Sequence, residues 1–189
     1  MKIGYALMLN KEAHNFIRKI QLELHQEVGI GLARQAPHIT IKSPFEVTAI
    51  EPHIEFLGAL AKRTPPFELQ LKGFQSFGQQ VLFLDVVENE VLRDLHHHIL
   101  QEVKVAFGEA PHAFEGENIK FHASIAGFQE EDLEAAQDYL ARYQPDFHFT
   151  AQTFGLFYYL GPGNGWIVNS YYDLGGEYSG AKLQKFSRT

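Results

Sequence analysis

The stretch PHITIKSPF, residues 37–45, decides how this chain reads. Ile39 and Ile41 alternate with His38, Thr40 and Lys42, the period-two pattern of a strand with one buried face. His38, Thr40 and Lys42 are therefore expected on one side and the two isoleucines on the other. A second stretch, KFHASIAGF at residues 120–128, has the same form. It sets Lys120, His122 and Ser124 against Phe121, Ala123 and Ile125. An imidazole, a hydroxyl and an ammonium on one side of a strand suit a cleft that holds an anion better than a face packed under helices.

The flanking segments alternate between strand and helix patterns. KIGYALML (2–9) reads as a strand, and Phe16, Ile20, Leu24 and Val28 then recur at helical spacing. Ile50, Ile54, Leu57 and Ala61 mark a second helix, stopped by Pro65 and Pro66. FELQLKGF (67–74) alternates as a strand with one wet face. The order then restarts. QVLFLDVV (80–87) is a strand, and Leu92, Leu95, Ile99 and Val103 form a helical stripe. After the His122 strand, Leu133, Ala136, Leu140 and Tyr143 predict another helix. FHFTAQTFGLFYYL (147–160) reads as one strand, and GWIVNSYYDL (165–174) returns across GPGNG (161–165), a glycine-rich hairpin turn.

The chain thus reads βαβαβ twice. PPFELQLKGF (65–74) aligns with QPDFHFTAQTF (144–154), which puts His38 and His122 at matching places in a duplication. The expected architecture is α+β, with helices outside a shared sheet region. It forms a single domain over 1–189: a first repeat about 1–78, a second about 79–175, and a polar tail 176–189. Lys182, Lys185 and Arg188 of that tail read as solubilising charges.

Composition sets limits on function. Hydrophobic residues make up 45% and charged residues 21%, a folded globular balance. The net charge of −7 argues against broad binding to extended duplex nucleic acid, which depends on many lysine and arginine contacts to phosphate. It leaves room for one nucleotide or one RNA end in a local pocket. No signal-peptide pattern and no membrane-length apolar run is present, so no membrane partner is expected. The chain has no cysteine, which excludes disulfides and thiolate metal sites and fits a reducing, cytoplasmic setting.

Ten histidines and twelve serines and threonines would give roughly 0.6 H-x-[ST] matches by chance, and three occur. The match at His148 and Thr150 aligns with Glu68 and Gln70 rather than with His38, and reads as a decoy. The other two fall at matched places, each on a strand between helices.

The paired His38-Ile-Thr40-Ile41 and His122-Ala-Ser124-Ile125 segments resemble the two H-x-[ST]-x signatures of the 2H phosphoesterase superfamily, most of all its 2′-5′ RNA ligase and cyclic phosphodiesterase branch. The resemblance covers nearly the whole chain. It implies a bilobal, LigT-like fold with mainly antiparallel sheets around a central cleft, one motif from each lobe facing the other. It also implies cofactor-free, metal-independent chemistry on 2′,3′-cyclic phosphates or 2′-5′-linked nucleotide and RNA ends.

Physical chemistry supports the same roles. Splitting a phosphodiester without metal needs a base for the attacking oxygen and an acid for the leaving oxygen, and two histidines near pKa about 6.5 supply both. Thr40 and Ser124 would donate to non-bridging phosphate oxygens. Lys42 and Lys120 would add positive potential. Which histidine is base and which acid stays open.

Other features read as structure. His96, His97 and His98 diverge around a helix and cannot chelate one ion together, so LHHHIL is expected to be a solvated face. A metal protein built on His96, His98 and His112 has poor spacing, and no metal site is expected. Phe45, Phe128, Tyr158 and Tyr159 read as core aromatics, with base stacking the alternative. Arg34 reads as a solvated loop residue, with a terminal phosphate the alternative. The competing functional reading is a non-catalytic nucleotide or RNA-end binder using the same cleft.

Overall fold

A computed structural model describes residues 1–78, 80–127 and 132–175. Phe128 and the 176–189 tail, with Lys182, Lys185 and Arg188, lie outside them. The strands are β1 (Lys2–Met8), β2 (His38–Glu46), β3 (Phe67–Phe77), β4 (Val81–Val86), β5 (His122–Gly127), β6 (Asp146–Ala151), β7 (Thr153–Tyr159) and β8 (Trp166–Asp173). The helices are α1 (Lys11–Val28), α2 (Glu51–Arg63), α3 (Glu90–Phe107) and α4 (Leu133–Leu140).

Local chemistry sets the helix ends. The Asn10 side chain accepts from Ala13 N at the start of α1, and the Asn89 side chain accepts from Leu92 N at the start of α3. Gly29 and Gly108 close these two helices with φ of 83° and 73°, a conformation that side chains with a Cβ resist. Of the expected α1 stripe, Ile20 and Leu24 are at most 1% exposed while Phe16 and Val28 are half-buried, and Ile17 joins the core at 0%. Each fully buried side chain among them contributes about 1.5–3 kcal/mol. Tyr143, expected in α4, lies beyond its end and instead donates its hydroxyl to Glu23 at 2.7 Å.

All eight strands form one antiparallel sheet in the order β6-β3-β4-β5-β2-β1-β7-β8. Its middle is thin: β2 and β5 share a single paired position, Ile39 with Ala123. Two four-strand halves therefore meet at the two histidine strands. The helices cross that seam. Helix α1 packs on β5 and α3 packs on β2, while α2 covers β7 and β8.

Two expectations are corrected. The single strand over 147–160 is two strands, broken at Gln152, and they serve different halves: β6 pairs with β3, β7 with β1. The segments aligned as equivalents, 65–74 and 144–154, also do not occupy matching places. Strands β3 and β6 lie side by side, with Glu68 opposite Thr150 and Gln70 opposite His148. The strand placed against β1 as β3 is placed against β4 is β7.

Candidate active site

The register across the seam fixes what faces what. Ile39 and Ala123 are both fully buried on the helix side. His38, Thr40, His122 and Ser124 therefore share the opposite face, since strand side chains alternate. Antiparallel continuation sets His38 across from Ser124 and Thr40 across from His122. The imidazoles occupy one diagonal and the hydroxyls the other, with diagonal Cβ atoms roughly 7–8 Å apart.

Each motif ends in a β-bulge. On β2, Tyr5 pairs with Lys42 and Ala6 with Thr40, leaving Ile41 as the extra residue. On β5, Leu82 pairs with Ala126 and Phe83 with Ser124, leaving Ile125 as the extra residue. The fourth motif position is thus a fully buried isoleucine at a bulge in both cases. A buried side chain from a helix holds each bulge carbonyl. His96 Nδ1–H of α3 donates to Ile41 O at 2.8 Å, and Gln21 Nε2 of α1 donates to Ile125 O at 2.9 Å.

The two imidazoles are held alike. His38 Nδ1–H donates to Ala36 O and His122 Nδ1–H to Lys120 O, each at 2.7 Å. A carbonyl can only accept, so Nδ1 carries the proton in both rings. Nε2 is left as the lone-pair nitrogen of the neutral form. The His38 ring rests on Phe157 with centroids 4.3 Å apart, and the His122 ring on Phe77 and Phe83 at 4.8 and 5.0 Å. Burial pushes the His38 pKa down to about 4, and nearby His122 lowers it further against the Ala36 carbonyl. Burial also lowers that of His122, with the Lys120 ammonium adding to the drop and the Lys120 carbonyl and Asp85 opposing it. Both rings are neutral bases in the free protein at neutral pH.

Two clefts of about 220 and 230 Å³ open on this face. The smaller is lined by Ala33, Pro37, Val81 and Ala126 among others, the larger by Ala6, Thr40, Pro44, Phe157 and Trp166. Among the described residues, three line both: His38, Ser124 and Gln35. His122 lines neither; it sits half-buried beside them. Among the described residues, the Thr40 and Ser124 hydroxyls and the Gln35 amide make no hydrogen bond within the protein. They are available to a ligand. The loop carrying Gln35 is tied on both sides, by Arg18 donating to Ala33 O and Arg34 O and by His38 donating to Ala36 O.

Lys42 differs from expectation, whereas the Lys120 charge does act on His122. Lys42 is paired with Tyr5 and taken out of the His38–Thr40 alternation by the bulge at Ile41, although it still borders the larger cleft. It is 0% exposed and bonded to Glu115 at 2.9 Å. Glu115 also accepts from Ser43 N at 2.6 Å and His112 N at 2.8 Å. Burial pushes the Glu115 carboxyl up, but the His112 and Ser43 N–H groups and the Lys42 ammonium outweigh it and hold its pKa below the usual carboxylate range. Lys120 precedes β5, is partly exposed, and pairs with Asp85 across the ladder from His122. LHHHIL is not a solvated face throughout. His96 is fully buried, with Nδ1–H on Ile41 O and Nε2 accepting from Gly116 N at 2.9 Å, so both nitrogens are committed. Arg34 donates to Gly163 O at 3.1 Å in the 161–165 turn, and Phe45 is core. Gln35, Phe77, Phe157 and Trp166 went unread in the sequence: Gln35 lies just before the first motif but outside its strand alternation, and nothing in letter spacing ties the other three to the motifs.

The family model of the 2′-5′ RNA ligase superfamily matches residues 9–163. A "Putative phosphoesterase" of Geobacillus thermodenitrificans (strain NG80-2) is 30% identical over 184 residues, covering 94% of this chain and 98% of that one. One of Geobacillus kaustophilus (strain HTA426) is 31% identical over 150 residues, 75% of this chain and 80% of its own length. The fold is shared with TT0787 of Thermus thermophilus, at a TM-score of 0.68 and 20% identity over 94% of this chain and all of that one. It is shared too with E. coli LigT complexed with 3′-AMP, at a TM-score of 0.58 and 16% identity over 92% and 96% of the two chains. With its antiparallel α+β architecture and a family match across most of its length, the chain belongs to the 2′-5′ RNA ligase superfamily of 2H phosphoesterases.

Proposed function

We propose that the chain is a phosphodiesterase that needs no metal and acts on 2′,3′-cyclic phosphates or 2′-5′-linked nucleotide and RNA ends. The observation that carries this reading is the diagonal arrangement at the seam. Two imidazoles with Nε2 free face one another across two unpartnered hydroxyls. A phosphate between them would receive hydrogen bonds from Thr40 and Ser124 on its non-bridging oxygens, where charge grows in the transition state. One neutral histidine takes the proton of the attacking water. The new P–O bond forms as the bond to the ribose 2′ or 3′ oxygen breaks, and the other histidine, protonated at Nε2, gives its proton to that oxygen. The product is a phosphomonoester.

Both rings are neutral in the free protein, so the proton for the acid arrives with the anion, whose charge favours one imidazolium. The expected kcat/KM is bell-shaped in pH, with its optimum on the acid side of neutrality. The 3′-AMP bound by E. coli LigT supports a small nucleotide as ligand. The lack of cysteine fits a reaction in the cytoplasm.

The test is incubation with a panel of 2′,3′-cyclic nucleotides and 2′-5′ dinucleotides, with products identified by phosphorus NMR. Turnover should persist in EDTA. His38→Ala or His122→Ala should each lower it on the order of 10²–10⁴-fold. Full activity in the double variant refutes the reading, and tight binding without product selects the non-catalytic binder.

A further inference from the structure

The motif strands are braced by two residues that the proposed chemistry does not use. Gln21 is 6% exposed and His96 is 0% exposed, both uncommon burial for polar side chains. Each donates to the carbonyl of the fourth motif residue, at 2.9 Å to Ile125 and 2.8 Å to Ile41. Each is itself oriented from its other end. Arg18 Nη1 donates to Gln21 Oε1 at 2.9 Å, and Gly116 N donates to His96 Nε2 at 2.9 Å. The bracing is crossed: Gln21, from the helix after β1, holds β5, while His96, from the helix after β4, holds β2.

A bulge carbonyl has left the regular ladder and needs a partner when buried. The bulge also decides where the preceding hydroxyl and imidazole point. At the seam the strands themselves share one paired position, so backbone pairing alone constrains their separation weakly. We propose that Gln21 and His96 are positioning residues for the two motifs: Gln21 sets the aim of His122 and Ser124, and His96 sets that of His38 and Thr40. The inference rests on the phosphodiesterase reading of the site. Each half of the molecule thereby holds the catalytic strand of the other in register.

The experiment pairs kinetics with nitrogen NMR of the histidine rings in the full chain. Gln21→Leu should lower kcat on the order of 10-fold or more with KM little changed, and should move the ring resonances and titration of His122 much more than those of His38. His96→Leu should do the reverse. His96→Gln, whose amide can still donate to Ile41 O, should recover most of the loss. Gln21→Glu keeps the shape but removes the donor, and should behave like Gln21→Leu. If His96→Leu does not fold, His96→Gln and the two Gln21 variants still decide the matter. Wild-type turnover with unchanged kcat and unmoved rings in the Gln21 variants overturns the positioning role alone. Equal movement of both histidine rings in every variant also overturns it, because general loosening would do that. Absence of wild-type turnover on the nucleotide panel overturns the phosphodiesterase reading and this inference with it.

Discussion

Replacing Lys42 by Met should destabilise the protein far more than a surface lysine substitution would. Lys42 and Glu115 both have 0% side-chain exposure and meet at 2.9 Å, so Lys42→Met leaves a carboxylate buried with only the Ser43 and His112 N–H groups as partners. Removing one partner of such a pair costs about 3–5 kcal/mol. For a chain of this size each kcal/mol moves the melting temperature by about 2–4 °C, so a fall of roughly 6–20 °C is expected. Glu115→Gln should cost a comparable amount. The double variant Lys42→Met/Glu115→Gln should be less damaged than the sum, because no charge is left uncompensated, giving a coupling of about 1–3 kcal/mol. The carboxyl's folded pKa lies below its unfolded value of about 4.3, so its stabilising effect is present above that pH and is lost as pH falls through the lower, folded value. The wild-type advantage over Glu115→Gln should therefore shrink below about pH 4. Urea and thermal unfolding of the four proteins measure the cycle. A Lys42→Met protein melting within about 2 °C of wild type, or a coupling near zero, would refute the account of this pair.

Three further outcomes follow from the site and its supports. The His38 pKa near 4 lies below the unfolded value of about 6.5, so stability should fall as pH drops from about 6.5 to 4, and His38→Asn should flatten that slope in denaturant melts. Gln35 lines both clefts with a free amide, so Gln35→Ala should weaken inorganic phosphate binding on the order of 10-fold in a phosphorus NMR titration, and Gln35→Glu should weaken it more by charge repulsion. Phosphate affinity in Gln35→Glu at or above that of Gln35→Ala would show that the amide does not donate to the anion. Gly108→Ala puts a Cβ at φ 73° and should cost about 1–2 kcal/mol, read as a lower melting temperature with unchanged kcat, whereas a loss of activity at constant stability would contradict its purely conformational role.

Much of this was legible in the letters because it depends on period alone. Most of the helix stripes, a strand through PHITIKS and the shared face of the histidines and hydroxyls follow from spacing. The bulges do not. Ile41 sits in an unbroken alternation, and only pairing against β1 makes it the extra residue that takes Lys42 out of the His38–Thr40 alternation. The burial of His96 was hidden for a related reason, since a polar residue on a helix reads as solvated unless its partner, here the Ile41 carbonyl, is known. Gln152 likewise gave no sign that the strand breaks there, because the alternation runs on through two strands that join different halves. Position in a sheet is a long-range property, and local pattern carries none of it.

The placement of β7 beside β1 has a consequence for biosynthesis. A nascent chain emerges amino end first, so β1 and β2 can zip together early, while the far side of β1 stays bare until residues 153–159 have been made. Most of the polypeptide must therefore leave the ribosome before either half is complete. Until then an apolar strand, Ile3 through Leu7, offers open backbone groups to any neighbour, the condition under which chains stick to one another. Fragments ending before β7 should accumulate as aggregates or be degraded rather than persist as half-enzymes.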